Sequence, residues 1–458
     1  MKESSQSILH GPLLSGIVLY TIPIILTSVL QLLFNAADLV IVGQFCGSIS
    51  VAAVGATGSL TSLLVNLFIG LSVGAGVNVA YGLGARDDEN VHRTVHTALP
   101  LALVCGALLT ALGVLFSEPM LRLMDTPESV LSLSTIYMKI YFAGITFTIV
   151  YNFAAAILRA AGDTKSPLIF LIIAGVVNVG LNIFFVTAWD MNVAGVALAT
   201  TLSQGISALL VTAALMRRTD ACRLTLSKMR FYKKQLLKIL KIGLPAGIQS
   251  SLFAISNVSI QAAVNSFGDT VMSGNAAAAN LDTFIYVALN SIHQTAVNYV
   301  GQNIGAGQYD RVRKIVWICL TGSALFGLLL GVLSYIYARP LLSIYIPDSP
   351  EAVSYGVTRM FYICLPYFLC GLMDVSTGAL RGIGEAVAPM VISVLGICGM
   401  RLVWIYTIFR IPGFHTLECL YLSYPVSWLI TFVVQLIFFI CAFRRRFLPV
   451  QSRRPSCQ

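Results

Sequence analysis

The sequence is short of charge. Asp, Glu, Lys and Arg make up 10% of its 458 residues, against 57% hydrophobic, whereas soluble domains carry about 25% charged residues. A chain this apolar cannot cover a water-facing surface with polar groups, which excludes a soluble globular protein and makes the bilayer its solvent. Catalytic and nucleotide-binding motifs are also missing. There is no Walker A loop, HExxH or Rossmann glycine pattern, which excludes ATP-driven transport by this chain alone. The five histidines (His10, His92, His96, His293 and His415) form no cluster of the kind an intramembrane enzyme needs, so an enzyme is not expected. Ten cysteines are scattered with no CxxC pair and no metal-type spacing. They read as small packing residues, and no bound cofactor or structural metal is expected.

What is present is a series of long apolar runs. They lie near 14–43, 50–80, 94–117, 130–157, 166–188, 193–216, 238–266, 272–303, 313–338, 353–379, 388–409 and 417–443. At about 20 residues per span they predict an all-α integral membrane protein of about twelve transmembrane helices. Several runs are long enough to require tilt or projecting ends. The N-terminus is polar and the first run is too long for a cleavable signal, so it reads as a true first span. Lys and Arg favour cytoplasmic loops. With the N-terminus inside, all but six of the 29 basic residues fall on cytoplasmic segments; the six are Arg122, Lys139, Arg339, Arg359, Arg401 and Arg410. That alternation predicts an even number of spans, both termini cytoplasmic, and a multi-pass protein of the cell (inner) membrane. The net charge of +10 therefore reports topology and not nucleic-acid binding. The tail Arg444-Arg445-Arg446 reads as an anchor to anionic lipid.

An internal repeat organises the chain. Ile22-Pro23 matches Leu244-Pro245, and Asn35 matches Asn257 at the same offset. Leu158-Arg159-x-x-Gly162-Asp163-x-x-x-Pro167 matches Leu380-Arg381-x-x-Gly384-Glu385-x-x-x-Pro389, again at that offset. This predicts an N-terminal six-helix lobe over 1–216, a basic cytoplasmic linker at 217–241 and a second six-helix lobe over 242–458. An even number of spans per half makes the repeats parallel, an arrangement typical of secondary transporters with substrate bound between repeats.

The run Leu32-Leu33-Phe34-Asn35-Ala36-Ala37-Asp38 followed by Gly43 resembles the opening of bacterial multidrug and toxic compound extrusion (MATE) transporters. So do Leu158 to Asp163, Gly301-Gln302-Asn303-Ile304-Gly305-Ala306-Gly307 and Ala379 to Gly384. The resemblance covers essentially the whole chain. It implies two lobes in an outward-opening V and antiport of small organic cations against H+ or Na+, without ATP. A related architecture serves lipid-linked precursor flippases, which is the alternative reading. The chain is expected to work as a monomer.

An aspartate at a helix centre costs about 2.5–3.5 kcal/mol on insertion scales, so each one calls for a reason. Asp38 falls in the outer half of the first span, and Thr27, Gln31, Asn35 and Asp38 share one helical stripe. Low dielectric disfavours the ionised carboxylate, which suits a proton carrier, and the resemblance assigns ion coupling to the matching aspartate. Asn178 and Asn182 lie one turn apart in the fifth span and are expected to approach Asp38. Related transporters often carry an aspartate where Asn182 stands. An amide cannot titrate, though its carbonyl can coordinate Na+ or bond a protonated Asp38. In the second half the mate of Asp38 is Ile260, with an uncharged stripe of Asn257, Gln261 and Asn265. Charge appears instead at Asp282, Asp374 and Arg401, with His293 nearby, as candidate substrate or proton groups. Arg401 is expected to pair with Asp374 or Asp282, leaving the other carboxylate for a cation and His293 as a relay. Three buried aspartates against one arginine favour a cationic cargo. Phe34, Tyr151, Phe253, Tyr286, Tyr362 and Tyr367 are possible lining aromatics.

Overall fold

The computed structural model describes residues 8–451, and every regular element among them is helical. An apolar chain in lipid has to satisfy its backbone groups within each segment, and the helix does so. The first repeat runs α1 (Leu13–Phe45), α2 (Ser48–Gly84), α3 (Asp88–Leu123), α4 (Glu128–Ala143), α5 (Ile145–Ala160), α6 (Lys165–Thr187) and α7 (Asn192–Met216). The second runs α8 (Lys233–Asn265), α9 (Asp269–Gly305), α10 (Tyr309–Ile336), the short α11 (Ala338–Tyr345), α12 (Pro350–Arg359), α13 (Tyr367–Gly382), α14 (Val387–Ser393), α15 (Met400–Tyr406) and α16 (Leu417–Gln451). Outward-facing leucines and valines such as Leu115, Val176, Leu209, Leu325 and Leu395 are exposed, as a lipid-facing surface requires.

Nine helices among the described residues are each long and apolar enough to cross a membrane, and eleven if each of two bent pairs counts as one span. The bent pairs are α4 with α5, at 45°, and α12 with its π-helical extension Met360–Cys364 joined to α13, at 40°. The first break falls at Gly144 and the second at Pro366, its mate at the offset of the sequence repeat. The anticipated eighth segment, 272–303, is helical within α9 but too polar to qualify on composition. It buries Asn275, Asp282, His293, Asn298, Gln302 and Asn303.

Contacts divide the chain into two compact units. One holds Ile22–Ser251, and the other holds Gly11–Thr21 together with the chain from Leu252 onward. The division cuts α1 after Thr21 and α8 after Ser251. In the first unit, Val95, Ala98, Ala102 and Leu109 of α3 join Phe142, Ile149, Phe153 and Ile157 in a continuous core. The N-terminal part of α8 crosses α2 at backbone distance. A Cβ on Gly70 would lie 2.2 Å from the Gly247 nitrogen, and one on Gly247 2.2 Å from the Leu67 carbonyl oxygen. Small residues four apart on both helices permit this approach, a packing device typical of membranes. In the second unit α9 packs against α10 and α13, and α13 against α16.

The repeat is written in the backbone as well as in the sequence. α5 and α13 both end on a left-handed glycine, Gly162 (φ 89) and Gly384 (φ 87). Gly162 N–H donates to Arg159 O and Asp163 N–H to Leu158 O; Gly384 N–H donates to Arg381 O and Glu385 N–H to Leu380 O, all at 2.9 Å. This pairing satisfies the last carbonyls of both helices in the same way.

Candidate coupling and substrate sites

In the first unit, α1 carries Asp38, α6 carries Asn178 and Asn182 on one face, and α7 carries Thr200. The four side chains meet. Asn182 Nδ2 donates to Asp38 Oδ1 at 2.5 Å and to Asn178 Oδ1 at 3.3 Å. Thr200 Oγ1 donates to Asp38 Oδ2 at 3.2 Å, and Asn178 Nδ2 to Thr200 Oγ1 at 3.4 Å. Asp38, Asn178 and Asn182 are all buried, and Tyr137 lies within electrostatic reach of the carboxylate. No Lys or Arg among the described residues pairs with Asp38; its partners are neutral donors. Asn182 Oδ1 is fully enclosed without a hydrogen-bond partner.

The site differs from the expected stripe. Gln31 and Asn35 are exposed and make none of these hydrogen bonds, and Thr27 Oγ1 turns back onto the Pro23 carbonyl. Thr200 was not anticipated. Its only sequence signal is a Thr-Thr pair inside an apolar span. Of the aromatics, Phe34 lies against Gly175, where a Cβ would come within 1.8 Å of the ring, and Tyr151 donates its hydroxyl to the Pro167 carbonyl. Both therefore serve packing.

The second unit holds more charge, arranged differently from expectation. Asp282 does not pair with Arg401. Arg359 Nη2 donates to Asp282 Oδ2 at 2.6 Å, and Arg359 Nη1 to Asn275 Oδ1 at 2.7 Å. Tyr421 OH also donates to Asn275 Oδ1, at 3.2 Å. Asn275 Nδ2 in turn donates to Gln261 Oε1, and Gln261 Nε2 to Asn265 Oδ1. Part of the uncharged stripe on α8 thus ends in a buried ion pair. Arg359, one of the six basic residues off the cytoplasmic segments, is the last residue of α12 and is buried.

Asp374 and Arg401 are not paired either. Asp374 Oδ2 is fully enclosed with no hydrogen-bond partner, and Arg381 acts on it electrostatically. His293 lies between the two elements of this cluster. Its Nδ1 meets the Asp374 backbone carbonyl at 2.6 Å, and its Nε2 faces Arg381 Nη1 at 3.5 Å. With Nδ1 donating and Nε2 accepting, both ring nitrogens are engaged, which runs against the expected relay. Arg401 rests on aromatic faces instead of a carboxylate: its guanidinium carbon is 4.0 Å from the Tyr424 ring centroid and 5.8 Å from that of Trp428. The expected balance of three aspartates to one arginine is therefore corrected. This unit buries Asp282 and Asp374 against Arg359, Arg381 and Arg401.

Comparison with known proteins fits this two-part layout. The MatE family profile matches residues 23–184 and again 245–407, so its two matches open on Pro23 and Pro245, the paired prolines of the sequence repeat. This chain belongs to the MatE family. It is similar to a probable multidrug resistance protein of Bacillus subtilis, YpnP, with 29% identity over 86% of this chain and 87% of that one. It is also similar to an FAD transporter of Shewanella oneidensis, at 23% identity over 85% and 87%. Among solved structures, a MOP superfamily transporter from Pyrococcus furiosus, described by the reverse polarity of its binding pocket, superposes with a TM-score of 0.90. That match has 20% identity and covers 96% of this chain and 98% of that one; at such identity it speaks for the fold alone. The MatE chain is a multi-pass membrane transporter of multidrug-efflux kinship, built as two helical repeats.

Proposed function

We propose that this MatE protein exports small organic compounds, organic cations among them, in exchange for inward H+ or Na+, with Asp38 as the coupling group. The observation that carries this reading is a buried carboxylate held by neutral donors alone. Without a basic partner, Asp38 can be neutralised only by an ion that comes and goes. Its surroundings suit either ion. A proton can sit on the carboxylate while Asn182 and Thr200 rearrange. Na+, a hard cation that takes oxygen ligands, can be held by the carboxylate together with the amide oxygens of Asn178 and Asn182. Asn182 Oδ1, enclosed and unbonded, is a ready donor for it.

Coupling follows from linkage. An ion that neutralises Asp38 and weakens cargo binding must itself bind more weakly when cargo is present. Opposed binding of this kind, together with alternating access of the two repeats, yields antiport. The protein is proposed to act as a monomer in the cell membrane with both termini cytoplasmic. In the second unit, Asp374 is the carboxylate left for an organic cation, because Asp282 is already neutralised by Arg359. The lipid-linked precursor flippase reading gains from the three buried arginines but loses Arg359 to that same pair.

The test is ethidium uptake into everted vesicles loaded with high H+ or high Na+ in the lumen. Uptake should follow at least one gradient and collapse with the matching ionophore. Uptake indifferent to both gradients would overturn the antiport reading.

A further inference from the structure

Arg401 stands apart from the other buried charges of the second unit. Arg359 has Asp282, and Arg381 reaches His293 and acts on Asp374. Arg401 is only 4% exposed and lies on α15, within the apolar span that begins at Val387. No carboxylate among the described residues comes within ion-pair distance of it; its charge is answered only by rings and one hydroxyl.

The geometry of the guanidinium is specific. Nε donates to Ser427 Oγ at 3.1 Å. One face lies over Tyr424, with Trp428 further along. Trp428 is itself boxed in by Tyr367 at 5.1 Å and Tyr424 at 5.7 Å between ring centroids. The two Nη amines make no hydrogen bond among the described residues. Neither is among the fully enclosed polar atoms that lack a partner, so each keeps some accessible surface.

A cation taken out of water keeps most of its desolvation penalty unless an opposite charge approaches. Cation–π contacts offset only part of it. The free fork is the part of arginine that grips a carboxylate, sulfonate or phosphate through two parallel hydrogen bonds. The rings beside it offer flat apolar area to an aromatic body.

We propose that Arg401, Ser427, Tyr424 and Trp428 form a seat for the acidic group of an aromatic cargo molecule. This rests on the exporter reading above and deepens it: the cargo includes aromatic acids, and zwitterions whose amine is left to Asp374. Cys370 lies within electrostatic reach of both Asp374 and Arg401, which places the two groups around one residue of α13.

Equilibrium binding to the purified full-length chain in detergent, with no ion gradient, tests the seat. The probes are radiolabelled 2-naphthalenesulfonate and 2-naphthylmethylammonium, similar in shape and opposite in charge. Wild-type protein should bind the sulfonate saturably, with the ammonium bound separately through Asp374. Arg401→Gln should weaken sulfonate binding at least about tenfold without weakening that of the ammonium, and Arg401→Lys should regain part of the loss, because lysine restores charge without the fork. No saturable sulfonate binding to wild type, or wild-type sulfonate affinity in folded Arg401→Gln, overturns the proposal. Sulfonate binding to wild type needs no variant, so its absence decides the matter even if Arg401→Gln fails to fold. Ethidium uptake is read under a gradient and through Asp38, so failure of coupling and failure of the seat give different results.

Discussion

Gly162 and Gly384 close equivalent helices with the same two hydrogen bonds, while the side chains buried in the two units are unlike. At the offset that pairs those glycines, Asp38 of the first repeat corresponds to Ile260 of the second, Asn178 to Met400 and Asn182 to Trp404. In the other direction, Arg359 corresponds to Tyr137 and Asp374 to Asn152. The turns, caps and bends that shape the backbone persist in both halves, because each half has to build the same bundle. The polar interiors have diverged at these positions, although Arg381 keeps its mate in Arg159. One unit keeps a single acid among neutral donors; the other keeps five charged groups, of which two form an ion pair. A transporter with one ion site and one cargo site needs this kind of asymmetry, and symmetric polar interiors would not supply it.

The largest expected effect comes from removing the single acid. Asp38→Asn should abolish the gradient response of ethidium uptake while leaving membrane insertion and detergent monodispersity unchanged. Retained coupling in that variant would move the ion site to the second unit and break the comparison.

Next is the ion pair. Asp282→Ala or Arg359→Ala alone leaves an uncompensated buried charge and should cost about 3–5 kcal/mol. The double variant Asp282→Leu/Arg359→Met should recover most of that loss. Thermal unfolding in detergent reads the cycle, and additive losses would show that the two charges do not depend on each other.

A smaller contrast lies where the N-terminal parts of α8 and α1 pack. In the first unit Gly247 meets the Leu67 carbonyl oxygen; in the second, Thr21 Oγ1 meets Thr295 Oγ1 at 2.8 Å. Gly247→Ala forces a methyl against backbone and should destabilise by about 1–3 kcal/mol. Thr21→Ala removes the bond with Thr295 and the back-bond to the Ile17 carbonyl; the back-bond adds little to a helix, so the loss should be about 0.5–1.5 kcal/mol. The reverse order in melting shifts would contradict this account of the packing.

The smallest effect is a pH response outside the membrane. Burial opposes the Asp220 charge, but the hydrogen bonds and charge of Arg218 and the Cys222 N–H outweigh it and hold this carboxyl below the usual range. A lowered folded value means the contribution is complete above the unfolded value near 4 and fades as pH falls through the folded one. Amide protection factors at Cys222 and Leu224, which remove the intrinsic pH dependence of exchange, should therefore fall below about pH 4 and stay flat between neutrality and pH 5. Protection lost already at pH 6 would assign the response to another group.

Much of the fold was legible because composition, loop charge and the constant offset between the halves are properties of the chain itself. Asp38 with Asn178 and Asn182 was legible too, since one helical turn separates the two amides and a lone acid in an apolar run stands out. Arg359 was not. It sits where hydropathy weakens at a span end, and its partner Asp282 is 77 residues away, so nothing local shows that the side chain points inward. Arg401 was noticed but given the wrong company. The expectation that a buried cation needs a carboxylate overlooked Tyr424 and Trp428, which lie on a different helix. Gln31 and Asn35 share the helical spacing of Asp38, yet Gln31 lies about 10 Å further along the axis and Asn35 is turned aside by about 60°, which leaves both outside the cage.

The polarity of α9 has a consequence for how the chain is made. A segment carrying Asp282, His293, Asn298, Gln302 and Asn303 gains too little from lipid to partition alone as it leaves the ribosome. Its cover comes from α10 and from α13, which begins at Tyr367 and is synthesised only after α9 is complete. The second repeat is therefore expected to enter the bilayer as a group, α9 settling once the helices that shield it have been made.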